Sequence, residues 1–173
     1  LNKEKMFTRV ITAFRPDKAM FLEEETFADY LNTLAEVSGV EITSFETMLN
    51  ALENRLKFFK EITGTTVSDD GIPHFTWADY TMEEIGAIFE KARKNEPVSE
   101  HEADQYRSAF LYEMARMYNR NGYVMQLHIG TYLDANTTGV KNVGKSTGFD
   151  CVDDQCAVTS VGELLNRLTI AGE

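Results

Sequence analysis

Three short runs rich in β-branched and aromatic residues, set apart by long stretches of helix-patterned sequence, constrain this chain more than any other feature. Thr8–Phe14 (TRVITAF) stops at Arg15-Pro16, where a proline, lacking an N–H, cannot continue a ladder. Thr65–Ser68 leads into Asp69-Asp70-Gly71, and Gly122–Gly130 (GYVMQLHIG) is an apolar run that closes on His128. The spacing predicts strands over 8–14, 65–69 and 123–129. A titratable imidazole at the C-terminal end of a buried strand is where an α/β barrel keeps its chemistry.

The intervening segments read as helices. Thr26 can cap a helix carrying Phe27, Tyr30, Leu31, Leu34 and Val37 on one stripe, with Gly39 as its stop. Ser44 opens a second, with Phe45, Met48, Leu49, Leu52, Leu56 and Phe59 on one face and Gly64 beyond its end. Thr81-Met-Glu-Glu84 and Ser99-Glu-His-Glu102 are capping boxes, in which the hydroxyl satisfies a first-turn amide and the Glu reaches back. They predict helices over 82–95 and 100–121, the latter burying Ala103, Tyr106, Phe110, Met114 and Met117; a last helix is predicted over 159–170. The order strand, helices, strand, helices, strand, helix demands a parallel sheet with right-handed crossovers. Three parallel strands leave two edges and one apolar face uncovered, and a complete (β/α)8 barrel takes roughly 250 residues. The expected architecture is therefore α/β, one 173-residue segment from the middle of such a barrel, with long helical insertions. The chain begins with Leu1 rather than Met and is expected to be a piece of something longer.

Composition narrows the partners. The net charge is −11 and the 17 Lys and Arg are scattered, whereas nucleic-acid affinity comes from clustered cations. No DNA, RNA or anionic membrane partner is expected. No stretch reaches the ~18–20 apolar residues that span a bilayer, and no apolar core follows Lys3 and Lys5 in the manner of a signal peptide. The expected compartment is the cytoplasm. Cys151 and Cys156 are too few for a disulfide framework and make a poor zinc site, so they read as ordinary thiols. His74 attracts no role, His101 reads as solvated at a helix start, and Trp77 reads as packing.

Three motifs carry a resemblance. Phe14-Arg15-Pro16-Asp17-Lys18, Ser68-Asp69-Asp70-Gly71 and Val124–Gly130 (VMQLHIG) resemble three successive barrel strands of the uronate (glucuronate) isomerases, a divergent branch of the amidohydrolase superfamily. Thr147–Asp154 (TGFDCVDD) resembles the segment that follows in that family. The resemblance covers the whole chain and implies strands three to five of a (β/α)8 TIM-type barrel. It also implies aldose–ketose isomerisation of glucuronate to fructuronate, and of galacturonate to tagaturonate, a chemistry that needs a base, an electrophile for the enediolate oxygen and a cation for the distant carboxylate.

By the same resemblance Arg15 binds the substrate carboxylate, Asp69 and His128 are catalytic, and His128 stands near a divalent metal, zinc among the candidates. The remaining ligands lie outside this chain. Each residue also has a plain structural reading: Arg15 as a solvated ion pair, Asp69 as a turn residue before Gly71, and His128 as a satisfied core histidine. Two positions depart from the family. Leu133 stands where an arginine is usual, and Asp70 stands where the family has histidine, an exchange expected to repel a carboxylate. These departures favour an alternative, a catalytically silent relative or module that folds and associates through exposed strand edges.

Overall fold

The computed structural model describes residue 8, residues 10–154 and residues 157–173. Three chain segments lie side by side in parallel and in sequence order: Phe14 bridges Ser68, and Val67 bridges Val124. The second pairing resumes as β1 (Asp70–Ile72) against β2 (Leu127–Ile129), in the register Asp70↔Leu127, Gly71↔His128 and Ile72↔Ile129. Between them run α1 (Phe27–Ser38), α2 (Phe45–Thr63), α3 (Met82–Arg93) and α4 (Glu100–Asn121). Beyond β2, β3 (Thr131–Tyr132) pairs antiparallel with β4 (Cys151–Val152) around a short α5 (Thr137–Val143), and α6 (Val158–Ala171) closes the chain.

Side-chain alternation along the strands decides what is buried. Phe14, Ser68, Asp70 and Ile72 share the face turned to the helices and are all buried, whereas Ile11 and Val124 are exposed on the opposite face. The core lies between the helix-facing side and α1 to α4. Phe27, Met48, Leu52, Phe89, Tyr106, Phe110 and Tyr118 are all nearly or fully buried there, each contributing ~1.5–3 kcal/mol of transfer free energy. Edge-to-face contacts join Phe27 and Phe45 to both Phe89 and Tyr106.

The helices follow their local signals closely. Ser44, Thr81 and Ser99 each complete a capping box, with Thr47, Glu84 and Glu102 reaching back. Gly39, Gly64 and Gly122 end α1, α2 and α4 in the left-handed region, at φ of 69°, 71° and 68°, which favours a residue without Cβ. Thr26 differs from expectation: it precedes α1, but its hydroxyl makes no capping bond.

The strands depart further from expectation. Of the run 8–14, Phe14 alone forms a ladder bridge among the described residues; Val10 and Ile11 are exposed with no neighbour to pair with. The second strand is broken because Ser68 intercepts a rung. The Gln126 N–H donates to Ser68 Oγ at 3.1 Å where a regular parallel ladder would use the Ser68 carbonyl. Cys151 is a free, exposed thiol on β4, whereas Cys156 lies outside the described residues. Trp77 does pack, with Arg167 4.9 Å over its ring and its Nε1 donating to Asp79. No helix among the described residues is long and apolar enough to cross a membrane.

Candidate active site

The face turned away from the helices collects the candidate residues at the strands' C-terminal ends. Phe14 is in register with Ser68, so Arg15 falls beside Asp69. Gly71 is in register with His128, so Asp69, Gly71 and His128 lie on one side. Arg15, Asp69 and His128 converge: Arg15 Nη1 donates to Asp69 Oδ2 at 3.0 Å, and His128 Nδ1 lies 2.7 Å from Asp69 Oδ1. The second contact is close but off the line a ring N–H bond requires, and Asp69 Oδ1 is buried without a hydrogen bond among the described residues. An acceptor held in that condition is under-solvated and receptive to a donor.

Asp17 is the member of this cluster that sequence reasoning missed. The strand must end at Pro16, which has no N–H for the next rung. A 3₁₀ turn (Asp17–Ala19) follows, anchored by the fully buried Ala19 and Met20 and by Tyr106, whose hydroxyl donates to the Ala19 carbonyl at 2.8 Å. From that turn the Asp17 carboxylate reaches back. Its Oδ2 accepts from Arg15 Nε at 2.6 Å and its Oδ1 from the Gly71 N–H at 3.1 Å. Gly71 is glycine for a steric reason: a Cβ there would stand 2.6 Å from Arg15 Nη2 and 2.8 Å from Asp17 Oδ2.

Charge follows geometry. The hydrogen bond that Arg15 donates to Asp17, together with the charges of Asp17 and Asp69, raises the Arg15 pKa against the effect of burial. Burial pushes the Asp17 carboxyl above its ordinary range, against the pull of the Gly71 N–H and Arg15. Two carboxylates therefore already face one guanidinium. Arg15 Nη2 is the terminal nitrogen with no hydrogen bond among the described residues.

Asp70 points the other way. It is fully buried on the helix side, accepting from Ser68 Oγ through Oδ2 and from Tyr118 Oη at 2.9 Å through Oδ1. Burial raises its pKa from 3.8 to about 7, with the Ser68 and Tyr118 bonds opposing the rise. The expected repulsion between Asp70 and a bound carboxylate does not hold in this arrangement, because adjacent strand residues face opposite sides and Asp69 occupies the open one. Leu133 is exposed beyond β3. His74 Nδ1 lies 3.5 Å from Asp153 Oδ2, beside the loop that resembles the family's TGFD segment. His101 is exposed in the first turn of α4.

Metal capacity is limited. No group of three His, Cys, Asp or Glu able to hold an ion occurs among the described residues, and a zinc ion takes at least three protein ligands. Asp69 and His128 do not fit a metal by themselves.

A sequence model of the glucuronate isomerase family matches residues 1–173. The chain belongs to that family. It is 42% identical over 174 residues to the uronate isomerase of Lachnoclostridium phytofermentans and 37% identical over 174 residues to that of Lachnospira eligens. Each alignment covers 100% of this chain and 37% of the relative, so the chain spans little more than a third of their length. The fold agrees. The crystal structure of uronate isomerase from Thermotoga maritima superposes with a TM-score of 0.81 at 26% identity, over 91% of this chain and 35% of that one. Glucuronate isomerase from Caulobacter crescentus gives 0.78 at 33% identity, over 92% and 33%. The chain is thus a mixed α/β segment resembling part of the uronate isomerase structures.

Proposed function

We propose that these 173 residues form strands three to five of a (β/α)8 barrel in a cytoplasmic enzyme that interconverts an aldose uronate and its ketose. Glucuronate to fructuronate and galacturonate to tagaturonate are the reactions proposed. The observation that carries the reading is the convergence of Arg15, Asp69 and His128 at one end of a parallel ladder, in a chain of the glucuronate isomerase family.

The chemistry asks little more of this face than it offers. A base takes the proton from the carbon next to the open-chain aldehyde, and the charge moves onto the carbonyl oxygen as an enediolate. The hydroxyl proton of the neighbouring oxygen passes to that former carbonyl oxygen, and the carbon-bound proton returns to the former aldehyde carbon. Asp69, with an acceptor oxygen lacking a hydrogen bond beside the imidazole, suits the proton-accepting role. His128, half-exposed next to it, suits donation to the enediolate oxygen. Arg15 suits the distant carboxylate through Nη2, a single contact rather than a two-pronged one, because Nε and Nη1 are already held by Asp17 and Asp69. A divalent ion such as zinc would need ligands from outside these residues.

Of the two departures from the family, Asp70 is turned away from the cluster, and Leu133 is the one that bears on substrate in this reading. Assay of the wild-type protein on glucuronate and galacturonate tests the proposal, together with His128→Asn and metal analysis of both. Turnover in the wild type with loss of turnover or of bound metal in the variant is expected. An inactive wild type, or a fully active variant, would reject the assignment.

A further inference from the structure

We infer that Asp17 is a positioning residue: it sets the guanidinium of Arg15 so that Nη2 faces the substrate, and it does so by bridging Arg15 to the Gly71 backbone. The inference rests on the proposed site and deepens it. The motive is a substitution of rungs. With no N–H at Pro16 the ladder cannot continue, and the Gly71 N–H takes a carboxylate oxygen of Asp17 instead, at 3.1 Å. The second oxygen of the same carboxylate grips Arg15 Nε at 2.6 Å. Asp17 therefore couples the ends of two strands to the orientation of one side chain.

Its own placement is fixed from below. The turn that carries it is buried at Ala19 and Met20 and tied to α4 by Tyr106, so the carboxylate is held on a rigid support, as an aligning group must be. Arg15 is otherwise more than half exposed, and a long side chain in water samples many rotamers. Asp17 on one side and Asp69 on the other hold it, and the absence of a Cβ at Gly71 leaves room for that orientation. Asp17 touches no substrate in this scheme and acts through Arg15.

The test is a double-mutant cycle in the whole active protein, with Arg15→Met, Asp17→Asn and the pair, reading KM and kcat for glucuronate. Asn keeps the size of Asp17 but cannot accept from both Arg15 Nε and the Gly71 N–H. We expect Asp17→Asn to raise KM about tenfold with a smaller change in kcat, and to change KM less than about twofold once Arg15 is Met. A structural role alone would lower the melting temperature and leave KM unmoved, or act equally in both backgrounds; either result overturns the inference. Gly71→Ala approaches the same contact from the other side, because the added methyl meets Arg15 Nη2. It should raise KM in the wild type and not in Arg15→Met. If Asp17→Asn fails to fold, an unchanged KM in Gly71→Ala overturns the inference by itself. Arg15→Met alone separates the two levels: full activity there sinks the site, whereas an impaired Arg15→Met with additive Asp17→Asn sinks the positioning role only.

Discussion

Replacing Asp70 by Asn should change the slope of stability with pH, and the structure gives both sign and size. Burial raises the Asp70 pKa from 3.8 to about 7, so between those values the folded state holds a proton that the unfolded state has released. Stability from this group is complete below the unfolded value and is lost as pH rises through the folded one. A difference of roughly three units at ~1.36 kcal/mol each gives a loss on the order of 4 kcal/mol. Asn cannot ionise and escapes that loss. It forfeits one acceptor toward Ser68 or Tyr118, at ~1 kcal/mol. The two stability curves should therefore cross near about pH 4.5: Asp70→Asn slightly weaker near about pH 4 and distinctly stronger near about pH 8.5. Urea titrations across that range measure it, and the comparison cancels groups of opposite slope, such as Glu53, which Arg120 lowers to about 2. Parallel curves for wild type and variant would refute the reasoning. Tyr118→Phe supplies a second check, since removing the Oδ1 donor should raise the Asp70 pKa further and extend the decline to higher pH.

Arg15→Met should weaken uronate binding by about 1–3 kcal/mol, the scale of one charge-assisted hydrogen bond, read as KM in an isomerase assay; unchanged KM would remove Arg15 from the site. The 173-residue chain alone should self-associate, because Ile11 and Val124 are exposed on the open strand face. A cleft of about 160 Å³ between Phe14 and the helices α1 and α2, lined also by Tyr30, Leu34 and Phe59, adds open apolar surface. A monodisperse monomer in sedimentation velocity contradicts this. Gly139→Ala should loosen the segment between β3 and β4, since a Cβ there would stand 2.6 Å from the Phe149 ring. An overpacking cost of ~1–3 kcal/mol confined to that segment should appear as faster amide exchange around β4 with little change in the core.

Helices were legible in this sequence because their signals are local. Ser44, Thr81 and Ser99 state where three helices begin, and Gly39, Gly64 and Gly122 where three end, each through a partner no more than four residues away. Strand limits were less legible because they turn on contacts made at long range. Ser68 breaks the second strand by accepting from Gln126, 58 residues on, and no periodicity announces that. The run before Phe14 has the composition of a strand, but pairing needs a neighbour, and among the described residues Val10 and Ile11 have none. The β3–β4 pair has two residues on each side, too few for alternation to register. Asp17 escaped for the same reason as Ser68: its decisive bond, to Gly71, spans 54 residues.

Asp69 and Asp70 show what alternation alone could have told. Two neighbouring residues of a strand face opposite sides, so only one of them can address an open face while its neighbour addresses the helices. The residue beside Arg15 in register is Asp69, because Phe14 pairs Ser68; Asp70 must then enter the core, where Ser68 and Tyr118 receive it. An acidic residue at position 70 therefore bears on the pH dependence of folding through burial. It is not a like charge set against a bound uronate. Under the proposed assignment the departure that still bears on substrate is Leu133, an apolar and exposed side chain where the family resemblance implies a cation. With Arg15 already shared between two carboxylates, losing that second cation should appear as weak substrate binding rather than as a defect in proton transfer, since Asp69 and His128 lie against each other whatever occupies position 133.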